Sequence, residues 1–132
     1  MPLRASHTTF DSRNAHAQSV IWAQVLGFVQ DPDAPDEPGD EQCMIFSPDG
    51  SSPPPLFVEV PEGKQVKNRV HLDLQPVNST RDEELARVLT LGARVVDDLR
   101  QPDGTGSVTL ADPEGNEFCV LRGDDERAQD AG

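Results

Sequence analysis

Two segments of the chain carry the same landmark residues in the same order, and this internal repeat restricts the fold more than any other feature. His7 and His71 each open an extended segment, 64 residues apart. Asn14 and Asn78 follow at the same offset, each shortly before a helical pattern, and a Leu-Gly pair closes each helical pattern. Ordered matches of this kind indicate two related supersecondary units in one chain.

The second copy begins with a strongly alternating stretch, residues 67–76. Its apolar side chains are Val70, Leu72 and Leu74, and its polar side chains are Arg69, His71, Asp73 and Gln75. Because successive side chains of a strand point to opposite faces, the pattern predicts one face packed under a helix. The other face is predicted to line a wet cleft.

The first unit, about residues 6–62, reads as βαβββ. Asn14 is the predicted N-cap of a helix that ends near Leu26, with Gly27 after it. The predicted apolar stripe of this helix is Ala17, Val20, Ile21, Trp22, Val25 and Leu26. Strands are predicted at 7–12, 28–30, 42–46 and 56–60. The loops 31–40 and 47–55 are either lids or disordered.

The second unit, about residues 66–122, repeats the βαβββ order. Its helix is predicted to begin with a capping box formed by Ser79 and Asp82, and Leu85, Val88 and Leu89 are its packed side. Strands are predicted at 67–76, 93–97, 107–111 and 117–122. Residues 123–132 are expected to form a disordered tail.

Charge and cysteine content exclude several classes of partner and compartment. A formal net charge of −13 argues against nucleic acid and anionic membranes as partners. No stretch approaches the roughly 20 apolar residues of a membrane span, and the amino terminus lacks the apolar core of a signal peptide. Cys43 and Cys119 do not form a disulfide framework, so a cytoplasmic location is predicted.

Three stretches carry a family resemblance: residues 21–28 (IWAQVLGF), 66–74 (VKNRVHLDL) and 110–122 (LADPEGNEFCVLR). With the duplicated βαβββ order, they resemble the vicinal oxygen chelate superfamily, which includes glyoxalase I, extradiol dioxygenases and bleomycin-resistance proteins. Within it, the chain is most similar to the glyoxalase-like domain group. The resemblance extends from about His7 to Arg122. It implies an α+β fold in which two βαβββ modules form a cupped mixed sheet around a cleft, with helices on the outer face. It also implies a homodimer.

The resemblance also implies where a metal would bind. The four ligand positions of metal-binding members fall on His7, Val58, His71 and Cys119. Val58 has no donor atom, and Cys119 stands where a glutamate is usual. His7, His71 and Cys119 are therefore the candidate ligands for zinc, iron, nickel or manganese, and the absence of any cofactor is the other expectation.

Three functions follow as alternatives. The leading hypothesis is a small-molecule-binding protein of the glyoxalase/bleomycin-resistance type without a full metal site. Its predicted ligand-binding residues are His7, Thr9, Val58, Arg69, His71, Asp73, Glu117 and Cys119. The rival is a metal-dependent lyase, isomerase or dioxygenase that uses His7, His71 and Cys119. A non-catalytic partner domain is the third, which an exposed apolar patch on the outer sheet edge would favour.

Structural interpretations stand beside these functional ones. Trp22 is expected in the core, and Cys119 is expected to behave as a small buried hydrophobe if it binds nothing. Arg69 and Asp73 pair with each other on the strand face if neither contacts a ligand.

Overall fold

The computed structural model describes residues 2–130, with backbone alone at 129 and 130. The chain divides into two compact units, residues 1–63 and 64–132. Unit 1 contains β1 (Thr8–Ser12), α1 (Ala15–Leu26), β2 (Gln42–Met44) and β3 (Pro55–Glu59). Unit 2 contains β4 (Leu72–Leu74), α2 (Arg81–Thr90), β5 (Arg94–Asp98), β6 (Val108–Ala111), β7 (Glu117–Val120) and α3 (Asp124–Asp130).

Each unit forms a small mixed sheet in which its first and last strands pair in parallel. In unit 1 the strand order is β1-β3-β2, and in unit 2 it is β4-β7-β6-β5. The remaining neighbours, β2 with β3, β5 with β6 and β6 with β7, are antiparallel. This arrangement confirms the predicted α+β class and its repeated βαβββ order. The predicted strand at 28–30 is reduced to a single antiparallel bridge between Val29 and Phe46.

Helix α1 begins and ends where the sequence predicts. The Asn14 side chain accepts a hydrogen bond from the backbone N–H of Ala17 at 3.0 Å. Gly27 adopts the left-handed conformation with φ 70°, as a helix terminator of this kind requires. The two caps therefore need only local interactions, which is why the sequence alone identified them.

The buried side of α1 differs from the predicted apolar stripe. Gln18 and Ser19 are buried together with Trp22, whereas Val20 is 38% exposed. Trp22 packs against Phe10, with ring centroids 5.1 Å apart. The Trp22 indole is the largest apolar group of the helix, and residues three and four positions before it lie on the same helix face. Burial of Trp22 therefore also buries Ser19 and Gln18. That face carries the polar pair, and the expectation that Trp22 lies in the core is confirmed.

Strand β4 is shorter than the alternating pattern predicts. Only Leu72–Leu74 pairs, in parallel, with residues 118–120 of β7, and Val70 is 83% exposed. The pairing strand β7 has four residues, so the preceding part of the alternating stretch has no ladder to join. The predicted burial of Val70 is therefore wrong.

The capping box of α2 lies one residue later than predicted. Thr80 accepts from the N–H of Glu83 at 3.2 Å and donates its own N–H to the Glu83 carboxylate at 3.1 Å. Thr80 has the extended backbone of an N-cap, whereas Asn78 takes a left-handed φ of 63°. Glu83 also has the longer side chain that reaches back to the cap. The prediction of a Ser79–Asp82 box is therefore wrong.

Residues 124–130 form helix α3, so the expectation of a disordered tail is wrong for this segment. The last two residues of that predicted tail, 131 and 132, lie outside the described residues. The Glu126 carboxylate accepts the N–H of Arg81 at 2.7 Å and the N–H of Gly123 at 3.0 Å. One side chain thus satisfies an otherwise unpaired amide of the α2 amino terminus and another just before α3. Sequence periodicity gave no sign of this tertiary contact. None of the helices in residues 2–130 has the length and apolar character needed to cross a bilayer.

A buried arginine fixes the β5–β6 hairpin to α2. Arg81 is 5% exposed, and its Nη1 donates to the carbonyl oxygens of Gly104, Thr105 and Gly106 at 3.0, 3.3 and 3.0 Å. Its Nε donates to Asp82 at 3.0 Å. The hairpin therefore owes its conformation to a cation from another element of the same unit.

Two glycines of this hairpin provide a matched test of that packing. Gly104 and Gly106 both have positive φ, but only at Gly106 would an added Cβ overlap the Leu99 carbonyl oxygen. We expect Gly104→Ala to lower the free energy of unfolding by about 1 kcal/mol. Gly106→Ala should cost about 3 kcal/mol or more, because the backbone has to move. Urea unfolding of both variants measures the difference, and equal losses would contradict the structure.

Candidate functional site

The parallel pairing of β4 with β7 brings three predicted site residues together. Asp73 is the register partner of Cys119. His71 precedes Asp73 by two residues, so the two side chains share one face of the extended chain. Paired residues on neighbouring strands present their side chains on the same face. The candidate site is therefore formed by His71, Asp73 and Cys119, all within unit 2.

The three side chains converge on one region of space. The His71 Nδ1 lies 3.2 Å from the Asp73 carboxylate and 3.9 Å from the Cys119 sulfur. One donor atom from each of the three lies within 4.8 Å of the other two. The Cys119 residue is 7% exposed, whereas the His71 and Asp73 side chains are 39% and 53% exposed. The group thus has a buried sulfur and an open, polar side.

The same ring nitrogen of His71 faces both the carboxylate and the sulfur. A nucleophile–histidine–acid relay needs the two partners on opposite ring nitrogens. This arrangement therefore does not form such a relay. Three donors directed to one region could instead hold a cation.

The donor set and its spacing fit a divalent metal of the zinc type. Zinc takes thiolate sulfur at about 2.3 Å and imidazole nitrogen or carboxylate oxygen at about 2.0–2.2 Å, in tetrahedral geometry. Tetrahedral angles then place neighbouring donor atoms roughly 3.3–3.6 Å apart. The distances of 3.2 and 3.9 Å around His71 Nδ1 lie on either side of this range. Asp73, predicted only as a ligand-contacting residue, is the donor that completes the group.

Cys119 has a second polar neighbour in the interior of the sheet. Thr109 is its register partner on β6, and the Thr109 hydroxyl lies 3.3 Å from the Cys119 sulfur. Thr109 is also buried. A hydroxyl at this distance can donate to a thiolate, so the sulfur is held between a buried hydroxyl on one side and His71 on the other.

Glu117 shares the face of Cys119 but is already paired with two lysines. Lys67 donates to its carboxylate, and the Lys64 Nζ lies 3.6 Å away. The Lys67 hydrogen bond, with smaller contributions from the Lys67 and Lys64 charges, holds the pKa of Glu117 below its ordinary value. The side chain is only 7% exposed. Glu117 therefore anchors the segment that precedes His71, and its part in ligand binding stays a prediction.

Four predicted site residues are not members of this group: His7, Thr9, Val58 and Arg69. His7, Thr9 and Val58 belong to unit 1, where His7 Nδ1 lies 2.6 Å from the Ser6 hydroxyl. Arg69 is exposed, and Asp73 pairs with His71. The participation of His7 as a metal ligand, and of Thr9, Val58 and Arg69 in ligand binding, stays a prediction.

A second group of potential donors lies in unit 1 and was missed by the sequence reasoning. Asp36, Asp40 and Cys43 each place one donor atom within 4.8 Å of the others. Burial, with the charges of Asp36 and Asp40, raises the pKa of the Cys43 thiol to about 11. Burial and Asp40 also raise the pKa of Asp36. Near neutral pH the Cys43 sulfur is therefore a protonated thiol.

The comparisons with known proteins point to one family and one fold. A family model described as glyoxalase-like domain matches residues 7–121. None of the curated proteins matches the chain significantly by sequence. Among solved structures, the fosfomycin resistance protein FosX from Mesorhizobium loti is similar, with TM-score 0.68 and 18% identity, over 98% of this chain and 99% of that one.

Two further structures share the fold. FosX from Listeria monocytogenes, solved with Mn(II) and 1S,2S-dihydroxypropylphosphonic acid, has TM-score 0.67 and 16% identity over the whole of both chains. A lactoylglutathione lyase from Agrobacterium tumefaciens has TM-score 0.57 and 18% identity, over 93% of this chain and 95% of that one. At these identities the likeness establishes the fold.

The Glu117 contacts lead to a testable pH dependence. Because its pKa is lowered in the folded state, its contribution to stability is present above the ordinary value of 4.5 and is lost as the pH falls through the folded pKa. Lys67→Gln removes the main cause, so we expect the pKa of Glu117 to rise and acid unfolding to begin at a higher pH. NMR titration of the Glu117 carboxyl measures this. Lys64→Gln is the control with the smaller expected effect, and an unchanged pKa in Lys67→Gln would contradict the assignment.

Proposed function

Because the chain belongs to the glyoxalase-like domain family, we propose that it binds a small molecule at a divalent-metal centre held by His71, Asp73 and Cys119. The observation that carries the proposal is the convergence of a nitrogen, an oxygen and a sulfur donor within 4.8 Å of one another. Three protein ligands leave a further position for a ligand atom, as in catalytic metal sites.

Each of the three residues has a distinct part in this proposal. Cys119 would hold the metal as a thiolate, and the Thr109 hydroxyl would stabilise the sulfur charge. His71 would offer its Nδ1 to the metal, and Asp73 would supply a negative oxygen that balances the cation. A metal bound here would act as a Lewis acid on an oxygen atom of the small molecule. The exposed side chains of His71 and Asp73 leave that side accessible to the small molecule.

The solved structures support the chemistry by analogy of fold. The Listeria FosX structure contains Mn(II) and a phosphonic acid, and another neighbour is a lactoylglutathione lyase. The first structure contains a metal and a small molecule, and the second protein is named as a lyase; both share the fold of this chain. We therefore place the proposed activity among metal-assisted lyases and isomerases. The homodimer and the cytoplasmic location belong to the same proposal, since both cysteines are free thiols and the family resemblance implies a dimer.

Metal-free binding is the second candidate. The observation that favours it is the direct approach of the His71 Nδ1 to the Asp73 carboxylate at 3.2 Å, which satisfies both groups without a cation. In this case His71 and Asp73 bind a neutral or cationic molecule by hydrogen bonds. The metal requirement separates the two candidates.

Cobalt binding tests the proposal with a matched pair of variants. Cys43 and Cys119 are both buried free thiols, but only Cys119 lies beside a histidine and an aspartate. We expect Co(II) to give a thiolate-to-metal absorption band that Cys119→Ser abolishes and Cys43→Ser preserves. Losing a direct ligand should weaken binding by about 100-fold or more, since even outer partners of metal ligands are worth about 10- to 100-fold.

Each other outcome has a definite meaning. A band lost in Cys43→Ser but retained in Cys119→Ser would assign the metal to the Asp36, Asp40 and Cys43 group and overturn the proposal. Ligand binding that is saturable in protein treated with chelator, and unchanged on adding metal, would support the metal-free candidate. His71→Ala and Asp73→Asn should each lower the intensity of the cobalt band, because each variant loses a proposed metal ligand and binds less cobalt.

A further inference from the structure

Unit 2 also contains a concave site whose lining residues differ from the three candidate metal ligands. Its volume is about 430 Å³, and it is lined by Thr105, Gly106, Ser107, Leu121, Arg122 and Arg127. This volume is typical of small-molecule pockets, which span about 300–1,000 Å³. None of the three proposed metal ligands is part of its lining. The cavity therefore needs a separate explanation.

The charge of the cavity is opposite to that of the chain. The sequence has 24 acidic and 11 basic residues, yet none of the six lining residues is acidic and two are arginines. Arginine presents a rigid fork of N–H donors that matches phosphate and carboxylate oxygens. Two such groups in one recess favour an anionic ligand.

The backbone carbonyl groups of the hairpin that lines the cavity accept hydrogen bonds from other parts of the protein. The carbonyl oxygens of Gly104, Thr105 and Gly106 accept from Arg81, and that of Ser107 accepts from the N–H of Leu99 at 2.9 Å. These carbonyl groups are therefore satisfied within the protein. The hairpin contributes Thr105, Gly106 and Ser107 to the lining of the cavity. None of these four carbonyl oxygens lacks a hydrogen-bond donor.

Helix α3 carries Arg127 and is hydrogen-bonded to Arg122, which precedes it. The Arg122 Nη2 donates to the Glu126 carbonyl oxygen at 2.7 Å, which fixes the direction of its guanidinium. The N–H of Arg127 donates to the Gly123 carbonyl oxygen at 3.0 Å in the first turn of α3. The helix that the sequence did not predict is therefore the element that completes this site.

The carboxylate of Asp103 is expected to lower the affinity of the cavity for an anion. Asp103 accepts from the N–H and the hydroxyl of Thr105 at 3.0 and 2.6 Å. These hydrogen bonds, with a smaller contribution from the Arg122 charge, lower the pKa of Asp103. Asp103 stays ionised near neutral pH and competes with an anion for Arg122. The Thr105 hydroxyl is engaged by Asp103, so the side-chain donors that we consider for a ligand are those of the lining residues Arg122, Arg127 and Ser107.

We propose that this cavity binds the phosphoryl group, or an equivalent tetrahedral dianion, of a small molecule through Arg122, Arg127 and Ser107. A tetrahedral oxyanion offers several oxygens in different directions, so it can engage two guanidinium groups and a hydroxyl together. Leu121 supplies an apolar surface for the organic part of the molecule. The site does not depend on metal binding at His71, Asp73 and Cys119.

The test uses the full chain, treated with chelator, at low ionic strength and neutral pH. Inorganic phosphate is titrated and followed by the amide resonances of the isotope-labelled protein, with succinate as a carboxylate comparison. We expect saturable shifts confined to residues 104–107 and 122–127, and weaker binding of succinate. Arg127→Gln should weaken phosphate binding by about tenfold, the value of one charge-assisted hydrogen bond. Arg127→Lys should retain part of the affinity.

Three controls make the result specific. Arg94→Gln removes an equal charge from an exposed position outside the cavity and should leave binding unchanged. Asp103→Asn keeps the acceptor oxygen for Thr105 but removes the competing charge, so binding should tighten. His71→Ala should bind phosphate as the parent does. Non-saturable shifts, equal affinity for succinate, or an Arg127→Gln variant that binds phosphate like the parent would each overturn the proposal.

Discussion

The three-residue parallel ladder between β4 and β7 is the constraint on which the candidate site depends. It sets Asp73 opposite Cys119, and the alternation of β4 then places His71 on the same face. A shift of the ladder by one residue would move His71 and Asp73 to the other face of the sheet. The short ladder is assisted by Lys67, whose contact with Glu117 holds the preceding segment against β7. The chemistry of the site is thus a consequence of register.

Electrostatics organise the rest of unit 2. In a chain with a net charge of −13, several basic side chains make specific contacts that stabilise unit 2. Arg81 is buried against three carbonyl oxygens of the β5–β6 hairpin. Lys64 and Lys67 neutralise Glu117, and Arg122 is tied to α3. Each of these basic side chains therefore contacts a carbonyl oxygen or a carboxylate of the same unit.

Some features could be predicted because they depend only on neighbours along the chain. The Asn14 cap and the Gly27 terminator need a local side-chain hydrogen bond and a left-handed backbone, and both were identified. The pairing of His71 with Cys119 was predicted through a family resemblance. Asp73 was assigned to ligand contact and not to the metal, since nothing in a sequence states which residues of two strands are register partners. The Arg81–Glu126 contact that caps α2 and orders α3 is equally invisible to periodicity.

The sequence by itself determined the repeated βαβββ order, the α+β class and the residue types available for chemistry. Hydrophobic alternation, helix caps and glycine positions act over a few residues, so they can be read without the fold. The tertiary structure alone decided that His71, Asp73 and Cys119 lie together, which face of α1 is buried and that two arginines line one cavity. Those outcomes depend on strand register and on contacts between residues far apart in the chain, such as Arg81 and Glu126, which are 45 positions apart. Such contacts contribute to stability only once the helices and strands have packed together.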